Sequence, residues 1–466
     1  MNTSNQQCQI CHVATFDSLS HGHPEFSDYP YQRRTRLYFD HLSHFGRHFE
    51  ERTASETTPQ SCNDCHVQDV TGSYMLVRGF EQTCASCHSE QIEDDLDLGF
   101  AFATIPGLDV ETLRNKGIDV GHWPDLYPLH VEAAGELGPL INLLLSSNES
   151  LAETMQHLDG VDLCNLSEAT VAELEEVEKL VWAYKETLYD VLRGGQPAVQ
   201  QRLNSVLAPQ VSETEIAEWV KLIPIALLAK MQERWLPMLI KEVEAHREGR
   251  QLPMQDEASN VDAAKVLDEE RRIAGADTSG WYLRESDMSL RYRPTGHADM
   301  LLKSLLEISA RFAVDPNSRS VADQNQAFGS ASAMRRVFAS LSSPVATGRC
   351  LKCHTTDAVT TRGARVQWFA NRPSLTERHF TEFKHSPHIT LLDDKACYTC
   401  HQFKTDEKPK RSPFRAEYIH SNWSPSTDPH RFASNFVAMT KSRCANCHNQ
   451  SGAGDSCRSC HNYHVR

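Results

Sequence analysis

Seven times along this chain two cysteines stand three positions apart and a histidine follows the second at once. The sites are Cys8/Cys11/His12, Cys62/Cys65/His66, Cys84/Cys87/His88, Cys350/Cys353/His354, Cys397/Cys400/His401, Cys444/Cys447/His448 and Cys457/Cys460/His461. They use fourteen of the fifteen cysteines, so whatever these groups hold organises most of both ends of the molecule. Histidine supplies 23 of 466 residues, and its chance placement after all seven pairs has a probability of roughly one in a billion. Zinc ribbons also pair Cys-x-x-Cys units, but zinc places no demand on the residue that follows. Disulfides place none either.

The chemistry that does make this demand is covalent attachment of haem c. Two thiols three positions apart add to the two vinyl groups of one porphyrin, and the next side chain reaches the iron as its proximal nitrogen ligand. The sequence therefore predicts seven covalently held haem c groups, on Cys8, Cys11, Cys62, Cys65, Cys84, Cys87, Cys350, Cys353, Cys397, Cys400, Cys444, Cys447, Cys457 and Cys460. His12, His66, His88, His354, His401, His448 and His461 are the expected proximal ligands.

Two further patterns, Phe39-Asp40-His41-Leu42-Ser43-His44 and Phe383-Lys384-His385-Ser386-Pro387-His388, share the form Phe-x-His-x-x-His and precede the Cys62 and Cys397 motifs. With them the chain resembles the multihaem c-type cytochromes, and in particular their class III, low-potential group. In that family such a pair supplies distal ligands to two different haems, and the phenylalanine packs near the porphyrins. The resemblance thus implies His41 and His44, and His385 and His388, as distal ligands. On a helical turn positions i and i+3 share a face, so one segment could serve haems on either side of it.

Sixteen histidines remain after the proximal seven, enough for every iron to be bis-histidine. His464, three residues beyond His461, is a further expected ligand, and His21, His23, His48, His379, His420 and His430 are the other candidates in the haem-bearing ends. His122, His130, His157, His246 and His297 lie between the ends and are expected to be surface or capping residues. His130 and His297 follow turn sequences able to aim a side chain. Met75 and Met439 read as core filler, and the odd Cys164 as a buried free thiol.

The motifs divide the chain into an N-terminal trihaem block (1–100), a haem-free, mostly helical domain (101–345) and a C-terminal tetrahaem block (346–466). In the middle, Val171, Leu174, Val177, Val181, Tyr184, Leu188 and Val191 recur at helical spacing, with Thr170 and Glu173 as a capping box and Gly194-Gly195 as a stop. A second helix starts at Ser212 with Glu215 three residues on, with a bend expected at Pro224 before 231–243. A third is expected over 298–312, and 249–280 reads as a looser segment. Strand signals are sparse. The expected fold is mainly α, with loop-rich haem-bearing blocks in which porphyrins stand in for much of the side-chain core.

A formal charge of −15 carries none of the excess basicity of a nucleic-acid binder. Residues 346–466 hold eighteen Lys or Arg against ten Asp or Glu, a net of +8, which leaves −23 on the rest. The basic tail is either compensation for haem propionates or a docking patch for an acidic partner. No transmembrane anchor is expected, since the longest uncharged apolar run, 222–229, lies between lysines. No basic region plus apolar core precedes Cys8, so an export leader is expected to have been removed or the start to be misassigned.

The resemblance implies electron transfer between a redox donor and acceptor in the periplasm, with an extracellular location as the alternative. It leaves homo-oligomeric contact from subunit to subunit open. The competing expectation is an oxidoreductase acting on a small nitrogen or sulfur oxyanion at one five-coordinate haem. No Cys-x-x-Cys-Lys variant is present to carry over a lysine-ligated active haem.

Overall fold

The computed structural model describes residues 18–26, 36–51, 58–93, 98–124, 137–250, 280–313, 329–343, 345–358, 363–370, 381–392, 396–403 and 436–462. Helix predominates, with a smaller component of short strands. Cys8, Cys11 and His12 lie outside the described residues, as do His130, His379, His420, His430, His464 and most of 249–280.

The long helix Val171–Leu207 begins as its sequence dictates: Thr170 Oγ1 accepts from the Glu173 amide at 3.3 Å, and Glu173 Oε2 accepts from the Thr170 amide at 2.7 Å. Leu174, Val177, Val181, Tyr184, Leu188 and Val191 are buried along one stripe, while Val171, in the first turn, stays exposed. Each such side chain contributes about 1.5–3 kcal/mol on leaving water. At Gly195 the backbone turns to φ 61°, ψ −149°, and the helix restarts with Pro197 in its new first turn. The expected stop is thus a kink between two helical segments. Pro tolerates a first turn because its missing N–H has no helical partner there.

The region expected to bend at Pro224 is three separate helices, Glu213–Val220, Ile225–Trp235 and Leu239–Arg247. Pro224 caps the second of them, and Pro237 follows its end. A buried ion pair ties the third to the long helix: Lys185 Nζ lies 2.7 Å from Glu242 Oε2 and 2.6 Å from the Val120 carbonyl. Glu242 Oε1 also accepts from the His122 amide at 2.6 Å.

Strands are more developed here than their signals suggested. Phe100–Thr104, Ser289–Arg293 and Gly280–Arg284 form an antiparallel sheet with Ser289–Arg293 in the middle, and Tyr292 stands opposite both Phe100 and Trp281. This sheet leads through the loop 294–299 into the helix Met300–Ala310, which packs on Ser330–Ser342.

The buried apolar residues form one cluster from Phe100 to Val366. Among the described residues of 18–93 and 381–462, Ala396 is the one buried apolar side chain. Those segments have no hydrophobic core of their own, and segments this poor in buried apolar surface need another source of packing. They are also stitched across the length of the sequence. The Tyr38 amide donates to the Cys353 carbonyl (2.7 Å), the Thr355 amide to Arg36 (3.0 Å) and the His385 amide to Gly72 (2.7 Å), so both ends of the chain build one body around the sites.

Candidate haem-binding sites

Each of the six described Cys-x-x-Cys-His motifs wraps a single turn. The histidine amide donates to the carbonyl of the first cysteine at His66, His88 (3.0 Å), His354 (3.0 Å), His401 (2.7 Å), His448 (2.8 Å) and His461 (2.9 Å). This common bond holds two thiols and an imidazole in a fixed relation. None of the thirteen described cysteines is in a disulfide. Burial is the main reason the Cys65 and Cys350 thiols are pushed up to about 11, which keeps them protonated.

Opposite the motif histidines stand other histidines. His41 faces His66 with ring centroids 6.3 Å apart and planes 13° apart, and His44 faces His88 at 6.4 Å and 58°. His388 faces His448 at 6.0 Å and 52°, and His385 lies within electrostatic reach of His401. The two Phe-x-His-x-x-His segments therefore work alike: the first histidine meets the next motif in the chain, and the second meets the motif after that. Their phenylalanines repeat the same packing. Phe39 is edge-on to His41 (4.6 Å) and stacked on His44 (4.1 Å); Phe383 is edge-on to His385 (4.9 Å) and stacked on His388 (4.8 Å).

Two more pairs join residues that no shared motif connects. His23 stands 6.0 Å from His461, and His297 stands 6.2 Å from His354 with planes 20° apart. Of the two early candidates His23 is thus the one placed at a site, while His21 bonds through its backbone to Ser18. His297 had no motif to mark it. Its only signal was the turn sequence Pro294-Thr295-Gly296 before it.

The remaining described histidines sit elsewhere. His246 stacks on Trp182 at 3.9 Å, His157 lies 3.7 Å from Glu176, the His122 amide donates to Glu242, and His48 packs edge-on to His44 at 5.6 Å. Cys164 is half-buried rather than buried, its amide donating to Asp162 Oδ1 in a turn.

The spacing has a direct metrical meaning. A metal–imidazole bond of about 2.0 Å on each side, plus about 1.1 Å from nitrogen to ring centre, puts two rings about 6.2 Å apart across one metal ion. Five of the described pairs fall between 6.0 and 6.4 Å. Ring nitrogens are prepared for the same role. Nδ1 donates to a backbone carbonyl in His23 (Pro24, 2.8 Å), His44 (Asp40, 2.7 Å), His354 (Gln367, 2.9 Å), His385 (Ser73, 2.8 Å), His388 (Lys384, 2.8 Å) and His448 (Gly454, 3.1 Å). A ring whose Nδ1 carries the proton leaves Nε2 as a bare lone pair, the ligand form. Burial, ahead of neighbouring histidines, lowers His41 to about 4, and it is likewise the main cause lowering His44, His66, His297, His354 and His401. Neutral imidazole is what a metal requires.

Among the described residues no three His, Cys, Asp or Glu side chains converge as a zinc site would need. Paired imidazoles would suit a porphyrin, which brings four nitrogens of its own, and its macrocycle would supply the core that the sparsely buried segments around the motifs lack. The residues fit haem.

Motif thiols also lie within electrostatic reach of one another, each pair hindering ionisation: Cys353 and Cys84, Cys84 and Cys65, Cys62 and Cys397, Cys400 and Cys447, and Cys444 and Cys460. Taken in that order, these neighbours lead from the Cys350 site beside the helical domain to the Cys457 site. Comparison with protein families, curated proteins and solved structures returned no match.

Proposed function

We propose that the chain is a heptahaem c-type cytochrome that passes electrons along a row of mostly bis-histidine haems between a redox donor and an acceptor, and that it works in the periplasm. The observation that carries this reading is the second imidazole standing 6.0–6.4 Å from the motif histidine at five of the six described motifs. Bound haem supplies one-electron chemistry at its iron. The chain's part is to hold neutral imidazoles in facing pairs and to fix six of the rings through Nδ1 bonds to backbone carbonyls. With an imidazole from each member of a pair, a bound haem would have no place left for a substrate, which favours conduction over catalysis. No helix among the described residues is long and apolar enough to cross a membrane.

The test is a haem count by pyridine haemochrome on the purified protein, with quantified EPR of the oxidised form and carbon monoxide titration of the reduced form. Seven haems per chain, at least six of them low-spin and closed to carbon monoxide, are expected. A haem-free protein, or two or more carbon monoxide-binding haems, refutes the conductor.

A further inference from the structure

We infer that His297, contributed by the helical domain, is the sixth ligand of the haem carried by Cys350 and Cys353, so that the domain without haem motifs of its own completes one end of the row. This rests on the haem reading above and extends it to a residue outside both haem-bearing segments.

Three independent features place His297. Its ring lies 6.2 Å from that of His354 with planes 20° apart, within the range set by the other pairs. Its other flank stacks on Phe80 at 3.9 Å and 9°, which stops the imidazole from turning away. The loop that presents it is locked by the buried carboxylate of Asp299. Oδ1 accepts from the amides of Leu301 and Leu302 (both 3.0 Å), and Oδ2 accepts from the Thr295 amide (3.0 Å), the Thr295 hydroxyl (2.9 Å) and the Tyr292 hydroxyl (2.6 Å). Five bonds to one side chain fix a segment in which Gly296 has φ 136° and Ala298 has φ 63°. A non-glycine residue in the left-handed region costs of order 1 kcal/mol or more and persists only where the surroundings over-determine it. Here the outcome of that strain is a histidine aimed at a proximal ligand.

The facing motif is built onto the same domain. A Cβ on Gly348 would lie 2.7 Å from Leu302 Cδ1 and 3.8 Å from Cys350 Sγ, so the turn bearing the first thiol rests on the helix that Asp299 caps. Across the proximal ring, His354 Nδ1 is fixed by the Gln367 carbonyl, and Trp368 packs 4.9 Å away. The site is also joined to its neighbour in the row: Gln91 Oε1 accepts from Lys352 Nζ at 3.0 Å and lies 3.2 Å from His88 Nδ1.

The experiment uses the holoprotein. His297→Gly is expected to keep seven haems, to convert one from low to high spin in the oxidised EPR spectrum, and to bind one more equivalent of carbon monoxide than the parent; added imidazole is expected to restore the low-spin signal. His297→Met should stay low-spin with one haem raised in potential, since methionine in place of histidine raises it. His246→Ala, altering a histidine of the same domain packed on Trp182, should leave every haem as it was. If the parent contains no haem, the underlying reading fails. If the parent contains seven haems and neither His297 variant alters any of them, the assignment of His297 is overturned while the cytochrome reading stands.

Discussion

Asp299→Asn tests how the ligand-bearing loop is held. The carboxylate accepts five hydrogen bonds, two at Oδ1 and three at Oδ2. An asparagine that keeps its oxygen toward the Leu301 and Leu302 amides turns an NH2 group on three donors; flipped, it turns that group on two. A hydrogen bond to a charged group contributes about 1.5–3 kcal/mol, and buried donors left unmade cost about 1–3 kcal/mol each. Because the donors share one acceptor the losses are not additive, and a total of roughly 3–5 kcal/mol is expected. Guanidinium unfolding followed by far-ultraviolet circular dichroism reads this as a lower midpoint for the helical signal. Absorption spectra before the transition should show part of one haem already high-spin, because a loosened loop no longer holds His297 in place. A stability change below about 1 kcal/mol would refute the hydrogen-bond accounting. A full stability loss with every haem still low-spin would show that the loop is not what positions the imidazole.

Other expectations follow from the same geometry. Replacing His41 or His388 by alanine should each open one haem to carbon monoxide, at the Cys62 and Cys444 sites respectively, and the double variant should open two; a single opened haem in the double variant would show the pairing to be wrong. Glu242→Gln strands the fully buried Lys185 ammonium, and breaking a buried pair costs about 3–5 kcal/mol, so thermal unfolding of the helical domain should fall sharply with no change in the haem spectrum. Acid should weaken the fold in a defined window. Burial, ahead of neighbouring histidines, already lowers His41 to about 4 from 6.5, and a metal on its ring would hold it lower still, so from 6.5 down to 4 the unfolded chain takes up a proton that the folded one refuses. Stability is full above pH 6.5 and falls by about 1.4 kcal/mol per unit, roughly 3 kcal/mol in all, as pH drops to 4. His44, His66, His354 and His401 are shifted in the same direction and add to the loss. Denaturant melts at pH 7, 5.5 and 4.5 measure it, and a flat profile would contradict it.

The sequence was most legible where the determinants are local. The Cys-x-x-Cys-His turns, the capping boxes at Thr170 and Ser212 and the break at Gly195 each depend on a few neighbouring residues. The central sheet was obscured because its middle strand carries Arg291 and Arg293, which read as surface, whereas Tyr292 pairs with residues near position 100 and Arg291 reaches the carbonyls of Leu98 and Gly99. Distal pairing was illegible for the same reason. Spacing marks a histidine as available, but His23 and His297 meet their partners only through contacts between distant segments. The division into terminal blocks follows motif density, and hydrogen bonds such as Tyr38 to Cys353 and His385 to Gly72 cross it.

The pairing of His23 with His461 also bears on how the molecule is made. Lys441 Nζ donates to the His23 carbonyl at 2.7 Å across 418 residues of chain and lies 3.2 Å from Glu25, so two segments far apart in the sequence complete one site together. During folding His23 would meet its partner only after the segment carrying His461 has docked beside it. Loss of either segment would leave the other undocked, which makes this site a reporter of long-range folding.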